Sequence, residues 1–153
     1  MADWSLRTDG GSRGNPGPAG CGFVLERADG DIACRGGKFL GVKTNNEAEY
    51  EALLWGLQSA LAFPECQRLT VYADSELLVK QMNLVYRVKH PNLRPLFQKA
   101  QHLARRLDSA KFVHVYRDAN KAADALANEA MDLRMTVGDA PCAPEDGQGT
   151  LFE

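Results

Sequence analysis

The sequence predicts an α/β domain with a five-stranded mixed sheet, its first three strands antiparallel, flanked by helices. Three observations predict it. Short alternating runs near the start are joined by tight turns, the mark of a strand meander. Four later stretches place apolar residues at helical spacing and are interrupted by two short strand-like runs. The resulting order, βββ-α-β-α-α-β-α, shows no internal repeat, and 153 residues are most simply one domain.

Residues 4–9 alternate Trp4, Leu6 and Thr8 against Ser5, Arg7 and Asp9, a strand that runs into the stretch RTDGGSRGNPGPAG. There Asp9 is followed by five glycines and two prolines within eleven residues, which reads as a loop. Residues 21–41 read as two strands joined by the turn Asp29-Gly30. Residues 44–63 form a helix. Thr44 and Glu47 have the spacing of a capping box, and Pro64 stops the helix. A short strand spans 68–74, a helix opens straight after Asp74, and 90–108 enter a helix with Leu96, Ala100, Leu103 and Leu107 on one face. Residues 111–117 are the fifth strand, and 118–133 a last helix with Asp118 as its N-cap. After Leu133 the periodicity stops. The expected division is a domain over 1–133 and a tail over 134–153.

Composition narrows the function. The chain is 44% hydrophobic with net charge −2, ordinary for a globular protein. No apolar run approaches the roughly 18–20 residues that span a bilayer, and no basic-then-apolar leader opens the chain. The expectation is cytoplasmic, without a membrane partner. Cys21, Cys34, Cys66 and Cys142 are scattered, with neither zinc-ligand spacing nor a disulfide framework. The charge is uneven: residues 80–121 carry ten Lys or Arg against Asp108 and Asp118, so that segment holds +8 and the remainder −10. Such a basic third fits a polyanion partner or a solvated helical face.

Four acids stand where a core does not want them. Asp9 and Asp74 sit at strand C-termini, the edge where open α/β sheets build sites. For Asp74 a helix-capping role fits equally. Glu49 shares a helical stripe with Leu53, Gly56 and Ala60 and so points inward, whereas Glu47 falls with Glu51, Leu54 and Gln58 nearer solvent. An inward carboxylate needs a cation or strong donors. Asp124 flanks the Ala123, Ala127, Ala130 stripe of the last helix, where the helix dipole would also favour it. Together the four suit a hard cation such as Mg²⁺ or Mn²⁺. Two such ions roughly 3.5–4 Å apart can activate a water and stabilise the leaving oxygen of a phosphodiester.

The motifs TDGGSRGNPGPAGCGFVL, TNNEAEYEAL, YADSELLVKQM and RDANKAADALANEA resemble those of ribonuclease H type 1, in order and in register over about residues 3–133. The resemblance implies an RNase H-like fold and Mg²⁺-dependent hydrolysis of the RNA strand of RNA–DNA hybrids, leaving 5′-phosphate and 3′-hydroxyl ends. It implies Asp9, Glu49, Asp74 and Asp124 as catalytic carboxylates and ligands of two Mg²⁺ ions, with Mn²⁺ as a substitute. It places Gly11, Ser12, Arg13, Gly14, Asn15 and Asn45 along the minor groove, where RNA displays 2′-hydroxyls. Thr44 would touch a phosphate of the DNA strand, and Asn120 joins the substrate contacts.

This chain departs from the family in places. The loop before the last helix lacks the His that many members carry there. Arg117 occupies that neighbourhood, as in the archaeal-type subgroup, either as its substitute or as an ordinary phosphate-binding or salt-bridge Arg. The basic, Trp-rich protrusion of the bacterial prototype is shorter here and has no Trp, and Glu76 replaces a Gln.

Near the end, residues 148–152, QGTLF, resemble the peptides that dock replication proteins on the sliding clamp. A disordered end, or Leu151 and Phe152 packing back on the domain, are the alternatives. Three functional readings stay open: a monomeric hybrid-cleaving endoribonuclease, a related nuclease of double-stranded RNA or RNA–DNA junctions, and a non-catalytic hybrid-binding module. Pure binding needs no metal cage, so the four acids favour the first.

Overall fold

The structure, a computed structural model, describes residues 2–139. Its sheet has six strands in the order β5-β4-β1-β2-β3-β6, one more than the sequence led us to expect. β1 (Trp4–Ser12), β2 (Gly17–Glu26) and β3 (Ile32–Lys43) form the antiparallel meander, and β4 (Arg68–Ala73) and β5 (Ser109–His114) continue it in parallel from β1. The added strand, β6 (Val137–Gly138), pairs with Gly36 and Gly37 of β3, in the stretch read as tail. Asp139 pins it: its Oδ1 accepts the Arg35 N–H at 2.9 Å, and its own N–H donates to the Arg35 carbonyl at 3.0 Å. A two-residue strand fixed by one side chain has no periodicity to read. The clamp-like peptide Gln148–Phe152 and Cys142 lie outside the described residues.

The helices are α1 (Asn45–Leu61), α2 (Glu76–Met82), α3 (Arg94–Arg105) and α4 (Lys121–Leu133). α1 starts at the expected capping box, with Thr44 Oγ1 accepting the Glu47 N–H at 3.1 Å and Glu47 Oε1 accepting the Thr44 N–H at 2.9 Å. Ser75, not Asp74, caps α2: its hydroxyl accepts the Leu78 N–H at 3.2 Å. Asp118 does not cap α4 either. It sits in a 3₁₀ turn, Arg117–Ala119, after which Asn120 leads into the helix. β5 also ends earlier than the expected 117, which puts Arg117 in that turn rather than on a strand.

α1 and α4 cover opposite faces of the sheet. Alternation along β2 shows it: Phe23 meets Trp55 of α1 edge-on at 4.9 Å, while Gly22 faces α4. Both approaches are close enough to demand glycine. A Cβ at Gly10 would stand 2.3 Å from the Ala48 carbonyl of α1, and one at Gly22 would stand 2.4 Å from the Ala123 carbonyl of α4. The core between α1 and the sheet holds Leu6, Phe23, Leu25, Leu53, Leu57 and Leu69, all fully buried, each contributing about 1.5–3 kcal/mol. Leu54, expected nearer solvent, is also buried, because α3 closes over α1 through Ala100 and Leu103. Cys21, Cys34 and Cys66 are buried. Among the described residues no helix is long and apolar enough to cross a membrane.

Candidate active site

β1 does not end at Asp9. It runs through Ser12, paired with β2 as far as Ala19, so Gly10 and Gly11 are strand residues. Only residues 13–16 remain as a loop, with Gly14 at φ +103°. Asp9 therefore projects from mid-strand beside the end of β4, where Asp74 emerges. Gly10, one residue on, lets α1 lie directly on β1 and brings Glu49 down to the same point. The result is a triad in which one ligand oxygen each from Asp9, Glu49 and Asp74 lies within 4.8 Å of the others.

Asp124, in the first turn of α4, stands outside that triad but within hydrogen-bonding reach of the Asp9 carboxyl. Burial, with Asp124 and Asp74 close by, pushes the Asp9 carboxyl up to about 8. Burial also holds Glu49 well above the usual carboxylate range. The charges of Asp9 and Asp74 add to that, while the Gly10 N–H and Arg117 oppose it. Among the described residues, Glu49 Oε1 and Asp74 Oδ2 are buried with no hydrogen-bond partner. Buried, unpartnered, mutually repelling carboxylates are costly as a structural device. All-oxygen donors crowded in this way fit a divalent cation, which would pair the orphaned oxygens and relieve the repulsion.

The cluster opens into a cavity of about 520 Å³. Gly11, Ser12, Arg13, Asn45, Arg117 and Asn128 line it. Two interlocked hydrogen bonds orient its amides. The Ser12 N–H donates to Asn45 Oδ1 at 2.8 Å, and the Asn45 N–H donates to Asn15 Oδ1 at 3.0 Å. Each Asn thus spends its oxygen on backbone and keeps its NH₂ as a donor. Arg13 reaches α4, 2.8 Å from Asp132 and 3.3 Å from Asn128 Oδ1. Beside this cavity a smaller one, about 190 Å³, gathers Thr44 and Asn15 with His90 and Asn92.

Asn120, which the resemblance places among the substrate contacts, is fully buried, its Nδ2 donating to the Thr8 carbonyl at 2.8 Å. Glu76 is paired with Lys80 at 2.9 Å, one helical turn on. Sequence reasoning missed His90, Asn92, Asn128 and Asp132. Asn128 and Asp132 lie one and two turns beyond Asp124 on α4, the first inside the RDANKAADALANEA motif, while His90 and Asn92 come from a segment that carries no motif.

Comparison with known proteins agrees with this geometry. Residues 7–130 match the family described as reverse transcriptase-like. The chain is 44% identical over 124 residues to ribonuclease HI of Halobacterium salinarum, covering 81% of this chain and 62% of that protein. The N-terminal RNase H domain of a Mycobacterium tuberculosis protein superposes with a TM-score of 0.83 at 41% identity, covering 87% of this chain and 96% of that one. LC11 RNase H1, solved in complex with an RNA/DNA hybrid, gives 0.82 at 40% identity, covering 86% and 99%. The chain thus spans less than two thirds of the Halobacterium relative, and it spans 38% of the whole mycobacterial bifunctional protein.

Proposed function

The chain belongs to the ribonuclease H type 1 family, and from that premise we propose that it is an endoribonuclease hydrolysing the RNA strand of RNA–DNA hybrids. The observation that carries the reading is the carboxylate triad of buried Asp9 with half-buried Glu49 and Asp74, Asp124 against it, at the floor of a groove lined by amide and guanidinium donors. The hybrid held by the LC11 relative supports the substrate class. Asp9, Glu49, Asp74 and Asp124 would hold two Mg²⁺ ions, with Mn²⁺ able to replace them. When bound, the ions supply Lewis acidity at the scissile phosphate and a water of lowered pKa.

The chain's own residues supply the rest. The NH₂ groups of Asn15 and Asn45, with their oxygens tied down, are donors for the acceptors of an A-form-like minor groove, 2′-hydroxyls included. The cavity of Thr44, Asn15, His90 and Asn92 suits a backbone phosphate of the DNA strand. All four carboxylates come from one chain, so the proposed enzyme acts as a monomer, and its proposed setting is cytoplasmic. A sliding clamp is the proposed partner of Gln148–Phe152.

Arg117 overlooks Glu49 from the 3₁₀ turn, where its charge can steady the products of cleavage. Arg117→Ala is expected to lower kcat by about tenfold to a hundredfold, with hybrid affinity little changed and Arg117→Lys intermediate. Weakened binding at unchanged kcat would make Arg117 an ordinary phosphate contact.

The reaction itself is tested by end-group analysis of the RNA products formed with Mg²⁺ or Mn²⁺. Attack by water predicts 5′-phosphates and extendable 3′-hydroxyls. A 2′,3′-cyclic phosphate would mean attack by the RNA's own 2′-hydroxyl and would contradict the proposal.

A further inference from the structure

β1 pairs with β4 only as far as Thr8 opposite Ala73, so the strand carbonyls beyond that point lose their ladder partners. The chain leaving β5 crosses this edge over residues 115–120 and supplies new ones. The Val115 N–H extends the β4–β5 pairing with a bond to the Ala73 carbonyl at 2.9 Å, and Asn120 Nδ2 donates to the Thr8 carbonyl, at the end of the β1–β4 pairing, at 2.8 Å. A third tie comes from the sheet side. Arg7 Nη1 donates to the Ala119 carbonyl at 3.3 Å, and its guanidinium lies 4.6 Å from the centroid of the Tyr72 ring, which braces it.

These ties fall at chosen places. Thr8 immediately precedes Asp9. Asn120 stands one helical turn before Asp124, and Ala119 closes the 3₁₀ turn that Arg117 opens. Asn120 is fully buried, and its Oδ1 has no partner among the described residues. A buried amide with an orphaned oxygen costs about 1–3 kcal/mol, set here against its bond to the carbonyl of Thr8, the residue before Asp9.

We propose that Arg7 and Asn120 are positioning residues that clamp the β5–α4 crossover onto β1 and so set where Arg117 and Asp124 stand against Asp9. The proposal rests on the ribonuclease reading for its kinetic consequence, but metal binding tests it separately. Arg7→Met keeps the length of the side chain and loses the guanidinium, Asn120→Ala removes the other tie, and Arg7→Lys retains a cation and a donor. Each is compared with wild type for kcat and KM on a hybrid, for hybrid affinity without metal, for Mn²⁺ affinity by calorimetry, and for Tm.

The clamp predicts that kcat falls by about tenfold to a hundredfold in Arg7→Met and Asn120→Ala, as expected when reacting groups are displaced by an ångström or so. Mn²⁺ affinity weakens with it, KM and metal-free hybrid affinity hold, and Arg7→Lys recovers part of the loss. Should Asn120→Ala fail to fold, Arg7→Met decides alone. Wild-type kcat and Mn²⁺ affinity in folded Arg7→Met would overturn the proposal. So would a loss of kcat that vanishes well below the variant's Tm, since that is stability alone. A wild type that binds Mn²⁺ but cleaves nothing would instead count against the ribonuclease reading, leaving the metal affinities to judge the clamp.

Discussion

Asp74→Asn is expected to abolish cleavage while leaving the fold and the binding of hybrid intact. Asp74 does not cap the helix that follows it: Ser75 caps α2, and among the described residues Asp74 Oδ2 is buried without a partner. What the substitution removes is a negative ligand from the triad. Losing several kcal/mol of metal-dependent stabilisation, about 4 kcal/mol, corresponds to roughly three orders of magnitude in kcat. Single-turnover cleavage of a labelled hybrid, read beside Tm and metal-free hybrid affinity, checks it. Appreciable cleavage by the variant would remove Asp74 from the metal site.

The second large effect is on stability, and in the opposite sense. Burial and its acidic neighbours push the Asp9 carboxyl from an ordinary 3.8 up to about 8 in the folded chain without metal. An acid raised in this way keeps its proton longer in the folded state than in the unfolded one. Its favourable contribution is therefore complete below about pH 4 and is lost progressively as pH climbs to about 8. Asp9→Asn has no such loss, and its NH₂ can donate to the neighbouring carboxylates. At pH 8 without metal, the variant should be more stable by a few kcal/mol, raising Tm on the order of 5–10 °C. Near pH 4 the two should coincide, and Mg²⁺ should narrow the gap by stabilising wild type alone. Melting curves at the two pH values decide it; equal Tm at pH 8 would mean that the Asp9 charge is not strained in the fold.

The site was legible where local chemistry fixes it. The stripe of Glu49 with Leu53, Gly56 and Ala60 placed that carboxylate inward, and the capping box at Thr44 set the phase of the helix that carries it. The end of β4 did the same for Asp74, whereas Asp9, read at a strand end, stands in mid-strand. What sequence could not show depends on distant partners. Gly10 and Gly11 read as loop because glycine is common in turns, yet β2 pairs with them, and α1 lies so close to Gly10 that no other residue fits. Asp118 has the chemistry of an N-cap, but the crossover is held by Arg7 and Asn120 and tightens into a 3₁₀ turn first. Asn120 looked like a substrate contact from its motif alone; its burial comes from a strand more than a hundred residues earlier. β6 depends on a distant partner strand, β3, where Asp139 meets Arg35 beside the pairing.

The central claim is that this carboxylate cluster cuts RNA paired to DNA. One measurement addresses it most directly: incubation with Mg²⁺ of an end-labelled RNA–DNA hybrid beside an RNA duplex and a DNA duplex of the same sequence. The account predicts internal cleavage of the RNA strand in the hybrid alone. Equal cutting of the RNA duplex, or binding of the hybrid without any cutting in either Mg²⁺ or Mn²⁺, would contradict it.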